Sequence, residues 1–238
     1  MKTGSASPAE NGQRKVLVWD APVRVFHWLL AASFAGAWLT AESERWQLVH
    51  VTLGYTVAGL VAFRILWGLI GTRHARFASF VRGPRAVLAY LRSLATGRPE
   101  HHTGHNPAGA IAIVGLLALA IGVTSTGWAT FNDVGGYRVS ELHEGIATFM
   151  LALAAVHVAA VAVSSWLHRE NLVGSMITGR KATEPREGIR RAWRGLAAVM
   201  LAAVFGFWWL QWQSPESGAL AASPAHAWGT MADHDDDD

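Results

Sequence analysis

Eleven histidines are spread along the 238 residues, and four of them, His27, His50, His143 and His157, fall in stretches that are otherwise apolar. An ionisable ring is expensive to bury there, so each is a candidate functional group. Their spacing narrows the chemistry. His143 and His157 are 14 residues apart, which on one helix is four turns to within about 40° and about 21 Å along the axis. The two therefore share a face, one near each end of the element. His50 opens a second stretch at the level of His143, and His27 lies one turn into the first stretch, where it can stand opposite His157. The outcome is two pairs of imidazoles at two depths, each pair drawn from two helices. Such an arrangement suits two stacked b-type haems, each iron held by two neutral imidazole nitrogens. Small residues on the same faces, Ala147 and Ala154 around Met150 and Gly54 one turn after His50, leave room for a flat macrocycle. Arg64 follows His50 by 14 residues and so shares its face at the depth of the other pair. A buried guanidinium needs an anion, and a haem propionate is a natural bidentate partner.

Other chemistries fit less well. The chain has no cysteine, which excludes disulfides, thiolate metal sites, cysteine-held iron–sulfur clusters and covalently attached c-type haem. A single histidine at membrane depth is usually a hydrogen-bonded packing residue, but four at matched depths, two of them repeating on one face, weigh against that reading. Zinc or iron transport would need one shared site, and the pairs are too far apart for it. Carboxylate co-ligands are also missing from the apolar stretches, apart from Glu144 at the start of the fourth.

The elements that must carry these rings are long and apolar. Hydrophobic residues make up 51% of the chain and charged residues 16%, where a soluble domain carries about a quarter charged. Five segments emerge: Val23 to Ala41, His50 to Gly71, Pro107 to Trp128, Leu142 to Leu167 and Gly195 to Trp212. As helices they span about 25 to 35 Å, matching a hydrocarbon core of about 30 Å. The chain thus reads as an all-α integral membrane protein. Tryptophans mark the ends of the spans (Trp28, Trp38, Trp46, Trp67, Trp128, Trp166, Trp193, Trp208, Trp209 and Trp212), where an indole faces lipid and water together. Asn106 and Pro107 form a start signal for the third helix, and Ser140 is a candidate cap for the fourth. Arg24, His27 and Trp28 interrupt the first apolar stretch, which argues against a cleavable leader.

The distribution of the 20 Lys and Arg sets the expected orientation. Four precede the first span (Lys2, Arg14, Lys15, Arg24), six lie between the second and third (Arg73, Arg76, Arg82, Arg85, Arg92, Arg98), and seven between the fourth and fifth (Arg169, Arg180, Lys181, Arg186, Arg190, Arg191, Arg194). Only Arg45 and Arg138 fall on the other side. The positive-inside rule then puts the N-terminus in the cytoplasm and the C-terminus outside. The basic residues face anionic lipid headgroups, so a pI near 9.7 does not argue for nucleic acid. Between the second and third spans, Phe77 to Leu94 mixes apolar residues with Arg82, Arg85 and Arg92 and reads as a helix in the cytoplasmic interface. The remaining histidines, His74, His101, His102, His105, His168, His226 and His234, fall in loops or tails; His105 and Asn106 open the third helix, where a quinone ring can reach the interface. The chain ends in Ser214, Pro215, Ser217, Gly218, Ser223, Pro224, His234 and Asp235 to Asp238, a solvated tail whose functional alternatives are steering of a basic cytochrome c or a weak metal site.

These motifs occur in an order that resembles the bacterial cytochrome b561 proteins and the b-type cytochrome subunits of nickel–iron hydrogenases, one family of di-haem membrane cytochromes. The resemblance covers about Val16 to Lys181. It rests on Trp19-Asp20 with Pro22, Arg24 and His27-Trp28; on His50 with Gly54-Tyr55; and on Arg64 with Trp67-Gly68 and Gly71. Arg76-Phe77, Gly83-Pro84, Gly104 to Pro107, Leu142-His143-Glu144, His157, Glu170-Asn171-Leu172, Met176-Ile177 and Gly179-Arg180-Lys181 complete it. It implies a four-helix transmembrane bundle holding two non-covalent haems b, with His27 and His157 on the cytoplasmic-side haem and His50 and His143 on the outer one. It also implies electron transfer between the quinone pool and a periplasmic partner, either a cytochrome c or an oxidoreductase subunit, in the bacterial inner membrane.

Two features depart from the family pattern. The outer loop Ala129 to Ser140 is short, and a fifth, C-terminal transmembrane helix follows the usual end. The expected organisation is a cytoplasmic N-terminal tail (1–15), the di-haem bundle (16–181), a linker with the fifth helix (182–212) and a periplasmic acidic tail (213–238). A subunit of an oxidoreductase fits better than a stand-alone enzyme. The competing expectations are a free-standing quinone-linked superoxide oxidase and, in another class, a haem-free transporter or assembly scaffold.

Overall fold

The computed structural model describes residues 14–81, 83–96, 104, 106–167 and 169–213. The N-terminal tail before residue 14, Arg82, Arg98, His101, His102, His105, His168 and the tail from Ser214 to Asp238 lie outside the described residues, as do the expectations attached to them.

The elements run β1 (Arg14–Leu17), α1 (Ala21–Thr40), α2 (Gln47–Ile70), α3 (Phe77–Phe80), α4 (Pro84–Ala95), α5 (Pro107–Phe131), α6 (Gly136–Leu167), α7 (Leu172–Thr178), β2 (Arg180–Thr183) and α8 (Arg194–Gln213). Every predicted apolar segment is a helix. Four helical stretches, Glu44–Ile70, Pro107–Phe131, Gly136–Leu167 and Arg194–Gln213, are long and apolar enough to cross a membrane. The last includes the predicted fifth segment. α1 is not among the four, although it has 20 residues; Arg24 and His27 lower its hydropathy.

Local chemistry explains the helix starts. Asp20 caps α1 by accepting from Val23 N at 2.8 Å, with Pro22 in the first turn; such a cap stabilises by about 1 kcal/mol. Asn106 caps α5 in the same way through Gly109 N, at 2.6 Å. α6 differs from expectation. It begins at Gly136, so Ser140 lies inside the helix and is not its cap. Asp133, Gly135 and Gly136 all have positive φ (55°, 86° and 60°) and reverse the chain at once after α5, in left-handed conformations that glycine and aspartate tolerate best. The interfacial stretch also differs, forming two helices, α3 and α4, that part before Pro84, as expected of the residue ahead of a proline.

α2 packs on α1 and α5, α6 packs chiefly on α5, and α8 lies against α1 and α2. The core gathers Phe26, Val57, Leu60, Val61, Leu117, Ala120, Val123, Met150 and Met200. Met150 is the one fully buried residue that α6 contributes over its 32 residues. α8 is tied in by Trp208, whose indole N–H donates to Thr56 Oγ1 at 2.9 Å. At the opposite end from the α5–α6 turn, β1 and β2 pair antiparallel with Arg14 opposite Thr183. This ribbon closes the chain on itself through Gly179, whose carbonyl accepts from Val18 N (2.8 Å) and Trp19 N (3.1 Å). Gly179 has φ 79°, and a Cβ there would stand 2.7 Å from Trp19 O, so only glycine fits.

Candidate metal centres

The four histidines fall on α1, α2 and α6, and all are half-buried. His50 and His143 meet at the end of the helices near the α5–α6 turn. Their ring centroids are 6.2 Å apart, with planes inclined by 82°. Each ring is fixed by its neighbour helix: His50 Nδ1 lies 2.8 Å from Ala37 O and His143 Nδ1 lies 2.9 Å from Val123 O. A carbonyl cannot donate, so Nδ1 carries the proton in both rings and Nε2 keeps its lone pair. That is the tautomer a metal requires, and a backbone carbonyl on the other nitrogen is its usual support.

This turn-side pair passes a geometric test for a shared metal. Two imidazole nitrogens on opposite sides of one ion, each at about 2 Å, put the ring centres about 6 Å apart. Two rings do not complete a metal site by themselves. Among the described residues no three His, Cys, Asp or Glu side chains converge on a metal-sized point, so the missing ligands must come from the bound group, as a porphyrin supplies four. Gly54, one turn after His50, has nothing within 4 Å of where a Cβ would stand, which leaves open space beside that ring.

The second pair sits toward the ribbon. His27 and His157 are within electrostatic reach of one another, on α1 and α6 as the spacing predicts. No ring contact joins them among the described residues, and His27 Nδ1 is buried with no hydrogen-bond partner. His27 instead meets Trp28 edge-on at 5.1 Å.

Arg64 is 3% exposed, and its Nη1 is buried with no hydrogen-bond partner. The guanidinium lies over the rings of Phe77 (4.8 Å) and Phe80 (5.9 Å), contacts that do not satisfy an N–H. An unpaired buried cation of this kind calls for an anionic ligand group. Arg64, His27 and the two rings at the turn are therefore a donor set suited to haem: imidazole lone pairs for iron, a guanidinium with an unpartnered Nη1 for a carboxylate.

Sequence reasoning missed the carboxylate beneath Arg64. Asp20, 1% exposed, accepts from Val23 N, from Trp67 Nε1 at 3.0 Å and from Thr72 Oγ1 at 2.6 Å, and it attracts Arg64. Its cap role was readable, since an acidic residue before Ala-Pro marks a helix start. Its bonds to residues 47 and 52 positions away were not. Trp67 is accordingly a correction: its indole turns inward to Asp20 and it is 7% exposed, not at the lipid boundary. His74 lies in a loop, as expected, and is buried there with Nε2 2.7 Å from Glu187 O.

Comparison with known proteins agrees with this picture. A family model described as prokaryotic cytochrome b561 matches residues 18–179. The chain is 24% identical over 212 residues to the probable Ni/Fe-hydrogenase B-type cytochrome subunit of Rhodobacter capsulatus, covering 70% of this chain and 81% of that one. It is 28% identical over 161 residues to the corresponding protein of Azotobacter vinelandii (56% and 66%). To the probable Ni/Fe-hydrogenase 1 B-type cytochrome subunit of Escherichia coli K12 it is 25% identical over 148 residues (51% and 63%). No solved structure matches significantly.

Proposed function

The chain belongs to the prokaryotic cytochrome b561 family, integral membrane electron-transfer proteins with non-covalent haem b, and from that premise we propose that it carries electrons through two haem levels between membrane quinone and a redox partner outside. The observation that carries this reading is the turn-side pair, two imidazoles 6.2 Å apart, each with Nδ1 on a backbone carbonyl. Bound haem b supplies a one-electron couple at its iron.

The residues divide the remaining work. His50 and His143 would hold one haem through Nε2, and the carbonyls of Ala37 and Val123 keep both rings in the required tautomer. His27 and His157 would hold the other. Arg64 offers its unpartnered Nη1 to a propionate of that second haem, while Asp20 beneath it keeps the guanidinium charge balanced. With two imidazoles to offer each iron, these residues would leave neither haem an open coordination position for small molecules.

The bundle is α1, α2, α5 and α6, with α8 as a fifth crossing. The arginine-rich segments around the ribbon and α3–α4 lie in the cytoplasm of the inner membrane, and the α5–α6 turn faces outside. The turn-side level is then the outer one, and the C-terminal tail follows α8 to that side. The relatives, being hydrogenase cytochrome subunits by name, favour an oxidoreductase partner there over free-standing superoxide oxidation.

Purified protein is expected to show a low-spin b-type spectrum with about two haems per chain, released by acid acetone. His143→Ala and His157→Ala are each expected to remove about one, and Arg64→Ala to perturb mainly the His27/His157 centre. A colourless preparation from haem-replete cells would overturn the proposal. Copurification of a subunit at the outer face separates the anchor from an isolated chain that reduces quinone with superoxide.

A further inference from the structure

We infer that Thr126 and Gly127 of α5 are positioning residues for the His143 ring, and that by setting its hydrogen bonds they make the turn-side centre the weaker electron acceptor of the two. This rests on His50 and His143 being the ligands proposed above.

The two turn-side rings reach their carbonyls in different ways. Ala37 lies in the last turn of α1, where the N–H of Ala41 goes to Trp38 O at 3.3 Å. The Ala37 carbonyl is among the last four of α1, which lack an intrahelical N–H, and it accepts from Thr40 Oγ1 at 3.2 Å as well as from His50. Val123 is in the middle of α5, where carbonyls are covered. In a helix the Cα–Cβ bond of residue i+4 leans back over the turn that holds carbonyl i. Residue i+4 of Val123 is Gly127. A Cβ built on it stands 2.9 Å from His143 Cε1, closer than real Cβ contacts, and 3.2 Å from Nδ1, a tight one. The glycine thus opens the one route by which the ring from α6 reaches a mid-helix carbonyl.

Thr126 supplies a second acceptor. Its hydroxyl donates to Gly122 O at 2.8 Å, which aims a lone pair away from its own helix, and His143 Nδ1 lies 3.2 Å from Oγ1. The Nδ1–H is shared between Val123 O and Thr126 Oγ1. A ring whose Nδ1–H is held in this way is a more basic ligand and favours the oxidised metal. On the ribbon side His27 Nδ1 has no acceptor, a difference that would make the ribbon-side centre the better acceptor.

The test is an optical redox titration with low-temperature electron paramagnetic resonance of the haem-loaded protein and its Thr126→Val, Thr126→Ser, Gly127→Ala and His143→Ala variants. Thr126→Val keeps the shape and removes the acceptor. It is expected to raise the midpoint of one centre only, the one lost in His143→Ala, changing its oxidised-to-reduced ratio at fixed poise by about fivefold, the worth of one hydrogen bond. Thr126→Ser is expected to restore the wild-type midpoint, and Gly127→Ala to shift the low-spin signal of that same centre by turning the ring. If Gly127→Ala does not assemble, the Val and Ser pair carries the test. Unmoved midpoints in Thr126→Val, with His143→Ala still removing one haem, would overturn the positioning role alone. A His143→Ala protein that keeps both haems would overturn the ligand assignment beneath it.

Discussion

The two ends of the helical bundle prepare their imidazoles by opposite means. At the turn side the rings meet edge-on and each is held by a backbone carbonyl, so order comes from main-chain acceptors. At the ribbon side His27 Nδ1 lacks such support among the described residues, but a buried carboxylate and a buried guanidinium, Asp20 and Arg64, stand within attraction of each other under the α2–α3 connection. Backbone acceptors orient a ligand at little desolvation cost. Buried charges are expensive alone and rely on each other and on a third group. The turn side is therefore ordered by backbone acceptors, whereas the ribbon side rests on buried charge.

Substitutions can break this contrast. The largest effect is expected from comparing His50→Ala with His27→Ala, counted as haem per chain: each is expected to lose about one haem, with the surviving centre keeping its spectrum. Loss of both from His50→Ala would mean that the ends are not independent. Next comes Asp20→Asn, which leaves the α1 cap possible but strips Arg64 of its counter-charge. Losing that attraction and the Oδ2 acceptor of Trp67 and Thr72 is expected to cost about 3 kcal/mol, and thermal unfolding in detergent should show it, with the turn-side spectrum retained. Gly179→Ala tests the ribbon itself. A residue forced to φ 79° against Trp19 O is expected to cost about 1–3 kcal/mol, again without moving the turn-side midpoint. The smallest effect is predicted for Trp208→Phe, which removes one hydrogen bond to Thr56 worth about 1 kcal/mol. If it shifted either midpoint, α8 would be part of the redox machinery and not only a brace on α1 and α2.

Much of the site was legible before any coordinates. The 14-residue step from His143 to His157 places both on one face of any regular helix, and His50 comes level with His143 because α2 and α6, with α5 running back between them, both start at the same end. Asn106-Pro107 marked the start of α5 correctly. Ser140 did not mark the start of α6, because three left-handed residues at Asp133, Gly135 and Gly136 turned the chain sooner than a cap signal would suggest. Trp67 looked like a boundary tryptophan by position, and its inward turn depends on Asp20, 47 residues earlier in the chain.

What the amino-acid order determined by itself was whatever has a fixed local period: the helices, the face and depth of each histidine on its own helix, and the sidedness of the basic segments. The rotation of each helix about its axis relative to the next was decided only in the tertiary structure. It selected the carbonyls of Ala37 and Val123 for the ring protons, passed His143 over Gly127, and brought Asp20, Trp67 and Arg64 together. A 3.6-residue repeat specifies direction within a helix, but contacts across helices depend on packing that the repeat does not encode.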